Sequence, residues 1–179
     1  MNLIAISGSL RAASLNTRLV DLMTLAAAPD VHIDKASLHG IPLYDGDLEE
    51  REGIPESVES LRNRIKAADG LILVTPEYNA GMPGVLKNAL DWLTRPGSEM
   101  KPTFGHLPTA LAGASPGAFG TAFAQAGSLI NLRQLGCQLY PDYLRVSRAD
   151  QLMPEGGDAD PKLRQQVEDF LQGFVGFIR

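Results

Sequence analysis

Residues 71–79 read Leu-Ile-Leu-Val-Thr-Pro-Glu-Tyr-Asn, four consecutive apolar residues followed by a turn with proline at its second position. A short apolar run that leads directly into a turn predicts a strand buried on both faces, as in a parallel sheet covered by helices. Similar runs predict further strands at residues 3–6, 31–37, 109–114 and 143–146. Apolar and polar residues alternate in 31–37, which places that strand nearer an edge of the sheet.

Segments with apolar residues at helical spacing lie between and after these runs. Their predicted starts are Ser14, Pro55, Pro83, Phe119 and Pro161. The stretch 41–53, which is acidic and contains proline and glycine, is expected to be a loop. Because strands alternate with helices, we predict an α/β fold with a doubly wound five-stranded parallel sheet in the flavodoxin-like order 2-1-3-4-5. No linker or repeat interrupts the 179 residues, which indicates one domain over residues 1–179.

Charge and cysteine content exclude several classes of function. The net charge is −5 and Lys and Arg do not cluster, so no nucleic acid and no anionic membrane is expected as a partner. The single cysteine, Cys137, has apolar neighbours that predict a buried, unreactive thiol, and the three scattered histidines predict no metal site. No apolar run is long enough to span a membrane and the first residues do not resemble a signal peptide, so a cytoplasmic location is expected.

The first candidate site is the loop 8–16, between a buried strand and a helix. In open α/β sheets, ligands bind outside the carboxyl ends of the strands, beside the first strand. The start of the helix offers free N–H groups, to which Ser9, Ser14 and Asn16 add polar groups and Arg11 adds a cation. The loop has one glycine and no Gly-Lys-Ser/Thr sequence, which favours a terminal phosphomonoester over a dinucleotide pyrophosphate or a nucleoside triphosphate. Taken alone, the loop is equally consistent with a capped helix that carries a surface arginine.

Two further loops follow the third and fourth strands. Residues 75–83 carry proline near both ends, which predicts a rigid ledge with one aromatic face, suited to a planar heterocycle with polar edges. Glu77 is interpreted as a structural or rim charge rather than a general base. In residues 114–117, small side chains would let a ring approach the sheet. Each loop is also consistent with an ordinary rigid turn.

Residues 102–132 contain no Lys, Arg, Asp or Glu. The stretch covers the fourth strand and most of the next helix, and a helix without charges is expected to be buried all round. We interpret it as the interface of a homo-oligomer with a two-fold axis. An unusual core helix is the alternative.

Three motifs together resemble the NAD(P)H-dependent FMN reductase family, which includes bacterial chromate reductases, quinone reductases and azoreductases. They are Gly8-Ser9-Leu10-Arg11-x-x-Ser14-x-Asn16, the Thr-Pro-Glu-Tyr-Asn of 75–79, and residues 83–92. The resemblance implies a flavodoxin-like fold with FMN bound at a dimer interface, with dimers often pairing into tetramers.

The resemblance also implies roles for individual residues. The expected contacts of the FMN phosphate are Ser9, Arg11, Ser14, Leu15 and Asn16. The residues expected to border the isoalloxazine ring are Pro76, Glu77, Tyr78 and Asn79, with Ser115 and Gly117 near the ring or the ribityl chain. Relatives often carry arginine about where this chain has Phe123, a difference that bears on contacts with the nicotinamide nucleotide.

The expected activity is ping-pong transfer of a hydride from NAD(P)H through bound FMN to a small acceptor. Candidate acceptors are a quinone, free flavin, an azo compound or chromate. The flavin carries the chemistry, so no catalytic acid or base is required. A flavodoxin-type electron carrier without NAD(P)H turnover is the first alternative, and a scaffold that has lost FMN is the second. The sequence does not decide between NADH and NADPH.

Overall fold

The computed structural model describes residues 1–179, and its centre is a five-stranded parallel sheet. The strands are β1 (Asn2–Ser7), β2 (His32–Ala36), β3 (Gly70–Val74), β4 (Pro108–Ala114) and β5 (Gln138–Val146). Their order across the sheet is β2-β1-β3-β4-β5, and every pairing is parallel. The predicted fold class and strand order are confirmed.

Eight helices surround the sheet. They are α1 (Leu15–Ala26), α2 (Gly46–Glu52), α3 (Glu56–Lys66), α4 (Gly84–Leu93), α5 (Met100–Phe104), α6 (Ala122–Gln134), α7 (Ala149–Leu152) and α8 (Pro161–Ile178). Side chains of α1 and α8 pack on one face of the sheet, and those of α3 and α4 pack on the other. No helix combines the length and the hydropathy needed to cross a lipid bilayer.

The apolar runs form the central strands because both faces of each strand are covered. In β1, Leu3 and Ala5 belong to the core under α1 and α8, whereas Ile4 and Ile6 belong to the core under α3 and α4. Successive side chains of a strand point to opposite faces, so a strand with two buried faces needs a continuous apolar run rather than an alternating one. This packing holds the carboxyl ends of β1, β3 and β4 side by side.

The expectation of a loop over residues 41–53 is wrong in part, because α2 forms within it. The side chain of Asp45 caps this helix by accepting a hydrogen bond from the N–H of Asp47, at 2.9 Å. Acidic residues in the first turn also interact favourably with the helix dipole. The glycine and the dense charge of this segment conceal the helical pattern in the sequence.

The boundaries of two other elements differ from expectation. Helix α6 begins at Ala122 rather than near Phe119, and β5 is longer than the predicted 143–146. The longer strand is irregular: Thr109 of β4 pairs with Leu139, but Leu111 pairs with Tyr143. The apolar pattern of β5 is hidden because this edge strand is largely exposed.

The expectation that α6 is buried all round is wrong for the single chain. Its buried positions are Ala124, Gln125, Ser128 and Leu132. Large apolar side chains point outward instead: Phe123 is 50% exposed and Ile130 is 77% exposed. Phe119, just before the helix, is 65% exposed and lies 5.5 Å from the ring of Phe123. This exposed face contradicts the alternative of an unusual core helix.

Cys137 is half-buried between α6 and β5. Burial raises the pKa of its thiol, because a thiolate is poorly solvated among apolar neighbours. The thiol is therefore kept in its protonated, weakly nucleophilic form.

Candidate functional site

The loop after β1 delivers unpaired hydrogen-bond donors at the start of α1. Ser14 is the N-cap, and its hydroxyl oxygen accepts a hydrogen bond from the N–H of Thr17 at 3.2 Å. The backbone N–H groups of Leu15 and Asn16 have no partner within the chain. Unpaired N–H groups and the positive end of the helix dipole favour an anion at this position. The guanidinium of Arg11 lies on the same loop and is exposed.

The side chain of Asn16 joins this loop to the end of β4. Its Nδ2 donates to the carbonyl oxygen of Ala114 at 3.0 Å, and the N–H of Ala114 donates to its Oδ1 at 2.9 Å. The Asn16 amide, which is almost fully buried, is therefore occupied by the backbone of the neighbouring strand. The backbone N–H of Asn16, in contrast, has no partner in the chain and is available to a phosphate. The sequence identifies Asn16 as a candidate site residue but does not predict its pair of hydrogen bonds with Ala114.

The loop after β3 forms a tight, rigid turn. The N–H of Tyr78 donates to the carbonyl oxygen of Gly81 at 3.0 Å, and the N–H of Gly81 donates back to Tyr78 at 3.1 Å. The two central residues, Asn79 and Ala80, have φ values of 51° and 58°. Positive φ at both central positions is characteristic of a type I′ turn. The turn leaves the ring of Tyr78 52% exposed, at the mouth of the site.

Glu77 connects the loop after β3 to α6. Its Oε2 accepts hydrogen bonds from the N–H groups of Phe123 at 2.8 Å and Ala124 at 3.0 Å. The residue at the N-cap position, Thr121, has a φ of 65° and makes no side-chain cap. Glu77 supplies the missing cap from another loop, which supports its interpretation as a structural charge.

Two glycines allow the three loops to pack closely. A Cβ on Gly8 would lie 3.0 Å from Leu86 and 3.1 Å from Pro76, so glycine brings the first loop against the second. A Cβ on Gly113 would lie 2.0 Å from Oγ1 of Thr121, which no side chain tolerates. The loop after β4 therefore folds over the end of its own strand.

The three loops enclose a cleft of about 220 Å³ at the carboxyl edge of the sheet. Predicted site residues that line it are Ser9, Arg11, Ser14, Leu15, Asn16, Pro76, Glu77, Tyr78 and Ser115. Asn79 and Gly117 do not line it: Asn79 lies in the adjacent turn, and the carbonyl of Gly117 accepts from the hydroxyl of Ser115 at 3.5 Å. Ala114 and Pro116 also line the cleft, as expected for the stretch 114–117 in which small side chains let a ring approach the sheet.

The donors in this cleft fit a phosphomonoester. Unpaired helix N–H groups, the hydroxyls of Ser9 and Ser14 and the guanidinium of Arg11 converge on it, whereas the only carboxylate, Glu77, is engaged as a helix cap. Sites for whole small molecules usually measure about 300–1,000 Å³. A flavin nucleotide would therefore extend beyond the cleft onto the open ledge at Tyr78.

A larger cavity, of about 400 Å³, lies between the end of α1 and α8. It is near the amino ends of the strands, and small apolar side chains such as Ala26 and Ala27 form much of its wall. Ligands of open α/β sheets bind at the opposite edge, so size alone does not make this cavity a functional site.

The sequence profile described as NADPH-dependent FMN reductase matches residues 1–151. The chain belongs to this family. It is 37% identical over 185 residues to an NAD(P)H-dependent FMN reductase of Pseudomonas aeruginosa, with 100% of this chain and 96% of that protein covered. It is 42% identical over 187 residues to a 2-hydroxy-1,4-benzoquinone reductase of a Burkholderia species, covering 100% of this chain and 97% of the relative.

A solved structure shows the same fold over nearly the whole chain. FerB, a flavoenzyme NAD(P)H:(acceptor) oxidoreductase of Paracoccus denitrificans, superposes with a TM-score of 0.84 at 32% identity, covering 99% of this chain and 96% of FerB. The family and these relatives confirm the expectation of an oxidoreductase that uses FMN and NAD(P)H.

Proposed function

We propose that this protein passes reducing equivalents from NAD(P)H, through FMN held in the three-loop cleft, to a quinone-type acceptor. The observation that carries the proposal is the convergence of unpaired α1 N–H groups, Arg11 and a rigid aromatic ledge at one edge of the sheet. FMN needs both features side by side: the N–H groups and Arg11 suit its phosphate, and the ledge suits its planar ring. The relatives named as FMN and quinone reductases support the same assignment.

The residues divide into a phosphate set and a ring set. The phosphate would be held by the N–H groups of Leu15 and Asn16, the hydroxyls of Ser9 and Ser14, and Arg11. The backbone donors are already fixed by the fold, so they bind an anion without loss of side-chain freedom. The ring set is Pro76, Glu77, Tyr78, Asn79, Ser115 and Gly117. When bound, FMN supplies the hydride-accepting and hydride-donating chemistry.

The chain itself provides position rather than acid–base chemistry. Oε2 of Glu77, the one carboxylate that lines the cleft, is held by two backbone N–H groups as the cap of α6. The ledge is open on the side of Tyr78, so NAD(P)H and a flat acceptor can reach the same surface in turn. Shared use of one surface implies a ping-pong mechanism. A quinone suits it better than a bulky acceptor because both reactants must lie flat.

We further propose that the exposed apolar face of α6 forms a homodimer contact close to the flavin. Phe119, Phe123 and Ile130 provide this face, and no charged residue occurs between residues 102 and 132. Glu77 ties the start of α6 to the flavin ledge, so a partner seated on α6 would lie beside the ring. The small cleft supports this arrangement, because a second copy would add the missing wall.

The absorbance spectrum of the purified protein, before and after anaerobic NADPH, tests the proposed activity. A flavin band that bleaches and then recovers on adding a benzoquinone is the expected result. A flavin band that stays oxidised would instead support a flavodoxin-type electron carrier. A protein that remains colourless after addition of FMN would contradict the cleft assignment and leave a scaffold role.

Replacing Arg11 with alanine tests the phosphate assignment. Loss of a charge-assisted hydrogen bond costs about 1.5–3 kcal/mol, so the dissociation constant of FMN should rise about ten- to hundredfold. Arg51→Ala, at an exposed arginine that does not line the cleft, is the matched control. Unchanged FMN affinity in Arg11→Ala would refute the assignment.

The proposed interface is tested by the mass of the protein in solution. Ile130→Lys places a charge on the exposed face of α6 without removing any buried side chain. We expect light scattering to show a dimer or tetramer for the native chain and a smaller species for the variant. A native chain that is monomeric with FMN bound would refute the interface.

A further inference from the structure

A small polar cavity, the arginine cavity, lies between α1, the first turn of α8 and residues 153–160, which join α7 to α8. It measures about 200 Å³, and Arg18, Arg164 and Asp158 are among its walls. None of its lining residues lines the flavin cleft, so the proposed function leaves this cavity without a role. It is too small for a nucleotide, whereas a single anionic group fits.

The two arginines of the cavity have no acidic partner. None of the ion pairs in the chain involves Arg18 or Arg164. By contrast, Arg51, Arg64 and Arg95 each pair with a carboxylate. A guanidinium keeps its positive charge at any pH near neutrality, so two uncompensated cations line one small space.

The side chain of Arg18 also has an unsatisfied donor. Arg18 is half-buried, and its Nε is enclosed by the protein and donates no hydrogen bond. A buried N–H without an acceptor is destabilising, so most such groups in folded proteins have a partner. Because the chain offers no acceptor to this side chain, its guanidinium is available to an anion from outside the chain.

The loop between α7 and α8 adds backbone donors to the cavity. Its turn is closed by a hydrogen bond of 3.3 Å from the N–H of Gly157 to the carbonyl oxygen of Pro154, and Gly156 has a φ of 71°. The N–H groups of Gly156 and Asp158, which both line the cavity, have no partner in the chain. Backbone N–H groups in turns of this kind form concave sites for anions.

Two acidic residues also line the cavity. Asp21 pairs with Lys35 at 2.7 Å, so its charge is already compensated. Asp158 is exposed and belongs to no ion pair, and it lowers the affinity of the cavity for an anion. The two arginines outnumber it, and the cavity therefore keeps a positive charge.

We propose that the arginine cavity binds a phosphate group, either as inorganic phosphate or at the end of a small phosphate ester. A phosphate ester carries about −1.5 to −2 charges at pH 7 and three acceptor oxygens. Arginine matches these oxygens with pairs of parallel hydrogen bonds. A carboxylate carries only one charge, so it would leave one of the two cations uncompensated. The inference does not depend on the proposed function, because it uses no residue of the flavin cleft.

Calorimetric titration with sodium phosphate, at saturating FMN and constant ionic strength, tests the inference. We expect one phosphate per chain. Arg18→Met and Arg164→Met should each weaken binding about ten- to hundredfold, as expected for a lost charge-assisted hydrogen bond. Asp158→Asn should tighten binding severalfold, a gain that misfolding cannot produce. Arg51→Met, which removes an exposed arginine paired with Glu52, should leave binding unchanged.

Urea unfolding at saturating FMN provides the second readout. A ligand that binds only the folded chain raises its free energy of unfolding. Phosphate should therefore raise the urea midpoint of the native chain and of Arg51→Met, but not that of Arg164→Met. Arg164 is exposed, so its replacement removes no buried packing and the variant should still fold.

Titration with glycerol 3-phosphate distinguishes the two sources of the phosphate group. Leu22 and Met153, both almost fully buried, give the cavity an apolar wall for the carbon part of an ester. Tighter binding of glycerol 3-phosphate than of inorganic phosphate would therefore indicate an ester, and equal or weaker binding would indicate free phosphate.

Three outcomes overturn the inference. They are no binding of either phosphate compound, binding that is unchanged in Arg18→Met or Arg164→Met, and acetate binding as tight as that of phosphate. Each of them leaves the proposed function intact, which fails only if FMN is not bound or NAD(P)H does not reduce it.

Discussion

Replacing Asn16 with alanine separates two roles for this residue. The sequence motif suggests a phosphate ligand, whereas the structure shows an amide that bridges the first and third loops through the backbone of Ala114. A ligand affects only the FMN-bound protein. A clamp stabilises the protein whether or not FMN is present, so the apoprotein distinguishes the two.

The expected loss follows from the two hydrogen bonds. Asn16 and Ala114 are both almost fully buried, and alanine would leave the N–H and the carbonyl of Ala114 without partners. Each unsatisfied buried group costs about 1–3 kcal/mol, so a total near 3 kcal/mol is reasonable. This is a large fraction of a typical folding free energy of about 5–15 kcal/mol. For a chain of this size it corresponds to a fall in Tm of about 6–12 °C.

Urea unfolding of the apoprotein, followed by circular dichroism, measures this free energy directly. Asn63→Ala is the matched control, since Asn63 is an exposed asparagine on α3 that makes no side-chain hydrogen bond. Its substitution should change the unfolding free energy by less than about 0.5 kcal/mol. If Asn16→Ala leaves apoprotein stability within that range and weakens only FMN binding, the clamp is refuted and the ligand role stands.

Three further predictions concern packing, charge and reactivity. Gly113→Ala should lower the unfolding free energy by about 3 kcal/mol, since its Cβ would overlap Thr121, and a native-like urea midpoint would contradict this packing. Hydrogen bonds from Arg64 lower the pKa of Asp34 in the folded chain below its unfolded value near 3.8. This ion pair therefore stabilises the folded chain fully above pH 3.8, and the stabilisation is lost as the pH falls through the lower folded pKa. Asp34→Asn should therefore lower the free energy of unfolding by about 1 kcal/mol or less at pH 7 and leave it unchanged near pH 2, as measured by urea unfolding at both pH values. Burial raises the pKa of the Cys137 thiol, so a thiol reagent at pH 8 should react with it much more slowly in the folded chain than in guanidinium chloride. Equal rates would refute this protection.

The sequence was sufficient to predict the sheet and the edge at which the candidate cleft lies. A strand buried on both faces must be apolar along its whole length, so residues 71–74 could be assigned before any packing was known. The turns after β1, β3 and β4 could be placed together because parallel strands end at one edge of the sheet. Most of the predicted site residues line the cleft for this reason, although their contacts with FMN remain predictions.

Errors occurred where no apolar stripe marks a helix and where packing decides which side of a helix is exposed. Helix α2 depends on the capping carboxylate of Asp45 rather than on an apolar stripe, and sequence periodicity does not detect such a helix. The exposure of Ile130 depends on which side of α6 meets the sheet. A pattern that is apolar all round does not specify that side.

Local chemistry and tertiary geometry thus determined different properties of this protein. The sequence by itself determined the strand order, the loop after β1 that lines the cleft and the family, because these follow from short apolar runs and from residues adjacent along the chain. Only the tertiary structure decided that Asn16 clamps Ala114 and that Glu77 caps α6. Each of these contacts joins segments that are far apart in the chain, and its geometry is set by the packing of the whole sheet and its helices.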